Sequence, residues 1–147
     1  MGYSRTQNAY RITALAIVAA MALVALLASL FEDDISPLLA LAIIVFTVGT
    51  AVIFTRLSVT IDVTSVTVAF GFGWPKRAIE IAEITSVHQV RNRWYHGWGI
   101  RLLTGGWMYN VWGLDAIELD LSSGRKFRIG TDDPEGLLAA LTHLLST

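Results

Sequence analysis

Cysteine is absent from this chain of 147 residues, so a disulfide framework, a thiolate nucleophile and a cysteine-based zinc or iron–sulfur site are all excluded. Charge is also scarce. Acidic and basic residues make up 16% of the chain and nearly cancel, and a formal net charge of -1 leaves no global electrostatic footprint for nucleic acid. No phosphate-binding P-loop, GxGxxG fingerprint or GxSxG nucleophile elbow occurs, and Gly71-Phe72-Gly73 is read as a strand-end turn. His88, His96 and His143 lack a close metal-ligand spacing and fall on different expected elements. Glu118 and Asp120 alternate along a strand as solvated residues do. The expectation is therefore a protein with no catalytic residues, no metal and no cofactor.

What the chain does have is length without charge. The runs 12–31 and 35–55 contain no ionisable residue and are separated only by Glu32-Asp33-Asp34. At 1.5 Å of rise per residue each makes a helix of about 30 Å, the thickness of a bilayer's hydrocarbon core. Two membrane spans in an antiparallel hairpin are expected, with Ser36 as N-cap and Pro37 at the first helical position of the second. Ala14, Ala22, Ala25 and Ser29 on one helix, and Ala42 and Gly49 on the other, offer small-residue faces for close approach. Arg5 and Arg11 precede the first run and Arg56 follows the second, whereas the connector carries only acids. By the positive-inside rule both termini are cytoplasmic, and the protein is a multi-pass protein of the cell membrane.

Residues 57–147 form a separate domain beyond this 1–56 anchor. Leu57, Val59, Ile61 and Val63 alternate with polar residues, as do Val66, Val68, Phe70 and Phe72, and Ile79 with Ile81 suggests a third strand. Further strands are expected at 84–90, 99–103, 109–112, 116–121 and 126–129, the last two joined by Ser122-Ser123-Gly124-Arg125. The period then changes. Asp133 is an N-cap followed by Pro134, and Leu137, Leu138, Leu141, Leu144 and Leu145 recur at helical spacing. The expected fold class is a membrane α-hairpin plus an α+β domain, a partly open antiparallel barrel plugged by one amphipathic helix.

Strands opening directly after a helical hairpin, the segment Trp94-Tyr95-His96-Gly97-Trp98-Gly99-Ile100-Arg101, and the ending Ile129-Gly130-Thr131-Asp132-Asp133-Pro134 with its leucine helix resemble small bacterial membrane proteins with a pleckstrin-homology-like (PH-like) domain. The resemblance implies a barrel of about seven strands capped by a C-terminal helix, in a family of largely unknown function with no common catalytic residues. One departure is visible. Where eukaryotic phosphoinositide-binding members have a basic loop between their first two strands, Asp62-Val63-Thr64-Ser65 carries an acid and no cation, so that activity is not implied.

The candidate lipid- or partner-binding residues are Arg91, Arg93, Trp94, Tyr95, His96, Trp98 and Arg101. Arginine pairs with phosphate bidentately, and Trp and Tyr favour the membrane interface. Trp107, Tyr109 and Trp112 suit three roles equally well: barrel core, partner surface or interfacial belt. The functional expectation is a non-catalytic module acting by interaction or assembly, with the bilayer and itself or another membrane protein as partners and no nucleic acid. The alternative is a sensor of anionic lipid or a small ligand through the Arg91–Trp98 segment. A remoter one is an accessory subunit of a membrane enzyme or transporter.

Overall fold

The computed structural model describes residues 2–30 and 36–146 of an α+β protein with two sheets, dominated by antiparallel pairing, and a C-terminal helix. The acidic connector and the adjoining ends of the two apolar runs lie outside the described residues. The first strand, β1 (Tyr3–Asn8), was not expected from the sequence, because Ser4, Thr6 and Asn8 alternate with Arg5 and Gln7 and no apolar face marks a strand. It leads into α1 (Tyr10–Leu30), and α2 (Pro37–Phe54) leads back into β2 (Arg56–Ile61). The two flanking strands pair antiparallel from Asn8↔Arg56 to Tyr3↔Ile61. The Ala9 amide donates to the Thr55 carbonyl at 2.6 Å, so the helices leave and rejoin the sheet side by side.

Helix α2 is long and apolar enough to cross a membrane, with a mean hydropathy of 2.5, whereas the shorter apolar stretch within α1 is Ile17–Ser29. The helices pack together, but not on the faces expected. The shielded positions are Ala20, Val24 and Leu27 against Ala40, Ile44, Thr47 and Ala51. Ala14, Ala22, Ala25, Ser29, Ala42 and Gly49 are exposed instead. The contact mixes alanines with Val24, Leu27, Ile44 and Thr47, so it uses larger side chains beside small ones rather than a small-residue face alone. Ser36 begins α2 with its carbonyl, which accepts from the amides of Leu39 and Ala40, and its hydroxyl makes no capping bond.

Strands β2, β3 (Ser65–Phe70) and β4 (Lys76–Glu80) continue the first sheet in the order β1-β2-β3-β4. Both β3 and β4 end before the sequence pattern does. Phe72 belongs to the turn and is exposed, and Ile81 starts a single 3-10 turn. The second sheet contains β5 (Ile84–Arg91), β6 (Gly99–Leu103), β7 (Gly106–Asn110), β8 (Asp115–Leu121) and β9 (Lys126–Gly130), ordered β5-β8-β9-β7-β6. Strand β7 replaces the expected 109–112, which leaves Trp112 in a loop. Its parallel register with β9, Met108↔Arg128, departs from a purely antiparallel barrel. The β6–β7 hairpin sits at the edge beside β9, and β1 is the strand added to the eight the sequence pattern offers, so the described residues hold nine strands where the family resemblance implies about seven.

One core joins the sheets. Leu57, Val59, Val68 and Phe70 meet Ile117, Leu119, Phe127 and Ile129, and α3 (Pro134–Leu145) adds Leu137 and Leu141 by packing on β5 and β8. Asp133 caps α3 as expected, its carboxylate accepting from the Gly136 amide at 3.1 Å. A relay of rings runs Phe54–Phe70–Tyr109–Phe127 at centroid separations of 5.1, 5.2 and 5.1 Å, tying the end of α2 to both sheets. The turn after β3 touches the same helix end: a Cβ on Gly71 would lie 3.1 Å from the Ile53 carbonyl oxygen, and its φ of +52° is in the left-handed region. Both features disfavour a side chain at this position.

Candidate functional site

The seven sequence candidates take different local roles, and Arg93, Trp94 and Trp98 line one cavity. Arg91 ends β5, its side chain exposed and without a hydrogen bond or ion pair among the described residues. Residues 92–98 form the β5–β6 loop, with a 3-10 turn at Trp94–His96. Arg93 donates to the Tyr95 hydroxyl at 2.7 Å and lies over its ring at 5.7 Å, so the two partner each other. Arg101 turns back to donate from Nε to the Trp98 carbonyl at 3.0 Å. Gly97 makes the reversal possible through a φ of +70°, with Arg101 Nη2 3.4 Å from where a Cβ would stand.

The loop does not work alone. Trp98 stacks on Trp112 of the β7–β8 loop, with centroids 5.5 Å apart and planes at 11°. The Asn92 amide nitrogen of the main chain donates to the Leu114 carbonyl at 2.6 Å, and the Asn110 side chain donates to the carbonyls of Gly113 at 3.2 Å and Gly97 at 3.5 Å. Between the two loops lies a cavity of about 270 Å³, walled by the stacked indoles, Asn92, Asn110 and Arg93. Trp112 also lines the adjoining cleft of Asn8, Ala9, Tyr10 and Arg11, at the first turn of α1. The cavity therefore adjoins the end of the domain where α1 begins.

The sequence reading passed over Asn92 and Asn110, which are 3% and 1% exposed. The signal for Asn110 is an amide embedded in Met108-Tyr109-Asn110-Val111-Trp112, since a polar residue in so apolar a run must be satisfied inside the fold. Of the three aromatics left open, Tyr109 is core, whereas Trp107 and Trp112 are partly exposed.

Behind the loops lies an ionic cluster. Glu118 was expected to be solvated, but it is 8% exposed, because β8 is flanked on both sides by other strands. Its carboxylate accepts from Lys126 at 2.7 Å and from Arg128 through both Nε, at 3.0 Å, and Nη2. The remaining Arg128 nitrogen, Nη1, donates to Asn92 Oδ1 at 2.9 Å and so fixes the loop to the sheet. Burial pushes the Glu118 carboxyl up, but the hydrogen bonds from Lys126 and Arg128 outweigh it and hold it below the usual range. A depressed carboxyl contributes stability that is present above the unfolded-state pKa and lost as pH falls through the folded value. Below about pH 4, wild type is expected to lose stability more steeply than Glu118→Gln in acid unfolding followed by circular dichroism. Parallel curves would remove Glu118 from this role.

Ser86, His88 and Asp120 also meet on this face, but in the wrong order for a nucleophile. His88 Nε2 faces both Ser86 Oγ at 3.1 Å and Asp120 at 3.2 Å, while Ser86 donates directly to Asp120 at 2.6 Å. A relay needs the carboxylate and the hydroxyl on opposite ring nitrogens. Among the described residues, no group of three or more His, Asp or Glu is arranged to hold a metal. No protein-family model and no curated protein matches the chain.

Proposed function

We propose that the chain is a membrane-anchored, non-catalytic PH-like interaction module, kin to small bacterial membrane proteins. Helices α1 and α2 cross the bilayer as a hairpin, both termini are cytoplasmic, and the two-sheet domain stands on the inner surface, where it positions or assembles a membrane partner or a second copy. The observation that carries this reading is the pairing of β1 with β2 across the helical excursion. A chain that leaves the sheet at Tyr10 and returns at Thr55 beside its point of departure has its two ends on one side of any bilayer that α2 crosses. Apolar side chains on both helices look outward, Val18 being 63% and Phe46 76% exposed, which suits lipid far better than water. Arg5 is engaged with Asp132, so the free cations that support the orientation are Arg11 and Arg56. The buried leucine face of α3 supports the PH-like part of the reading.

One observation favours direct lipid recognition as a second reading. Exposed aromatics, Phe72 and Trp74 after β3 and Trp98 and Trp112 beside the cavity, cluster on turns near the helix ends. Aromatic belts of this kind settle at the headgroup level.

Topology provides the first test. A reporter fused to the C-terminus is expected to behave as cytoplasmic, and protease added outside intact cells is expected to spare the domain. Digestion from outside overturns the orientation. Crosslinking in native membranes then tests assembly, through recovery of a defined partner or of homodimers.

A further inference from the structure

We infer that the cavity between the β5–β6 and β7–β8 loops holds the phosphate-bearing headgroup of an anionic phospholipid from the bilayer in which the chain is anchored. This rests on the membrane-standing orientation proposed above and assigns a ligand to a pocket of that surface.

The first argument is an orphaned donor. Arg128 offers Asn92 only N–H groups, so the Asn92 oxygen must face Arg128 and its Nδ2 must face the other way. That nitrogen is buried and has no hydrogen-bond partner, in a residue that lines the cavity. A buried amide N–H without an acceptor is costly, so the site is built for an acceptor to arrive. Arg93 at the rim uses Nη1 on Tyr95 and has its other nitrogens uncommitted, and no carboxylate lines the cavity. A ligand that accepts from a neutral amide and is attracted by a guanidinium is an anion with several oxygens, and phosphate satisfies both.

Size and surroundings select the source. A volume of about 270 Å³ lies below the range of about 300–1,000 Å³ typical of pockets that engulf a whole ligand, so this one takes a headgroup and leaves the rest outside. The rest has somewhere to go. Trp98 and Trp112 are partly exposed, and Trp112 continues the wall to Tyr10 and Arg11, where the chain turns into α1. Stacked indoles at the mouth suit the glycerol and upper acyl carbons of a lipid, whereas a soluble phosphate gains nothing from them.

The test uses the full chain in nanodiscs of phosphatidylcholine with or without phosphatidylglycerol, reading the lipids retained on transfer to detergent by native mass spectrometry. Wild type is expected to retain phosphatidylglycerol selectively. Asn92→Asp keeps the oxygen that serves Arg128 but replaces the free donor with a negative acceptor, and should lower that retention about tenfold or more. Arg93→Gln, at an exposed position, should weaken it in the same direction and serves if Asn92→Asp does not fold. Equal retention of the two lipids, or selectivity unchanged in a folded variant, overturns the assignment. Displacement of the retained lipid by inorganic phosphate at comparable affinity overturns the lipid source and makes the cavity a soluble-anion site. Carbonate extraction and the topology reporter separate the failures: an extractable chain or an external domain defeats the orientation, whereas an embedded chain with an inner domain and no lipid selectivity defeats only the pocket.

Discussion

Removing residues 2–8 from the full chain is expected to abolish the cooperative thermal transition of the detergent-solubilised protein or to lower its midpoint by on the order of 10 °C. These residues lie ahead of the first apolar run, yet β1 is clasped from the far end of the chain. Gln7 donates to the Gly130 carbonyl at 2.6 Å, Arg5 pairs with Asp132 at 3.2 Å, and Tyr3 donates to Asp133 at 3.2 Å. The Gln7 bond is the buried one, so it dominates. Leaving the Gly130 carbonyl without a donor costs about 1–3 kcal/mol, which makes Gln7→Ala the graded version of the experiment. The surface pair of Arg5 adds little by comparison. Tyr3 is held protonated, its pKa pushed up to about 12 by burial and by the adjacent Asp133 charge, so its bond persists across the neutral range. Deletion would also expose β2 as a bare edge, inviting association with other strands. A truncated chain that melts like wild type would show that β1 is not part of the folded domain.

The second large effect is expected at Leu141. It is fully buried where α3 crosses β5 and β8, and Leu141→Ala should destabilise by about 2–5 kcal/mol through lost burial and the cavity left behind. Small domains have only about 5–15 kcal/mol in total, so the variant should be much more sensitive to urea and proteolysis. Leu145, on the same helix but 36% exposed, is the control, and Leu145→Ala should change stability by no more than about 0.5 kcal/mol. If both substitutions behave alike, α3 does not close the core.

The first experiment also bears on how the helical pair is coupled to the sheets. The helices enter between two paired strands, and the Phe54–Phe70 contact joins the end of α2 to the core, so a force or tilt on the helical pair reaches the sheets without a flexible linker.

Most of the elements were legible because their signals are local. Strict alternation from Leu57 to Ile61 and from Val66 to Phe70 specifies two half-buried strands, and Asp133-Pro134 followed by leucines at helical spacing specifies α3 with its cap. Uninterrupted apolar composition likewise marked α2. These are properties of a residue and its neighbours a few positions away. Strand ends at Phe72 and Ile81 were misplaced by local turns, but the larger shortfalls depend on residues far apart in the chain. Ser4, Thr6 and Asn8 form a strand because Arg56 to Ile61 present a complementary edge after 47 intervening residues, from Ala9 to Thr55. Glu118 is buried because β5 and β9 flank it, and Asn92 is oriented by an arginine 36 residues away. The helix faces were misassigned because small residues occur on several sides of each helix, and which side meets its neighbour is settled only when the two pack. Composition and periodicity by themselves determined the apolar helices, the strand-rich domain and the terminal helix, since each follows from hydrophobic pattern and capping within one element. Only the tertiary structure decided that the N-terminal arm completes the sheet and that two asparagines and two tryptophans, from the β5–β6 loop and from the end of β7 and the loop after it, line a cavity, because hydrogen-bond satisfaction and side-chain stacking are settled between elements brought together by folding.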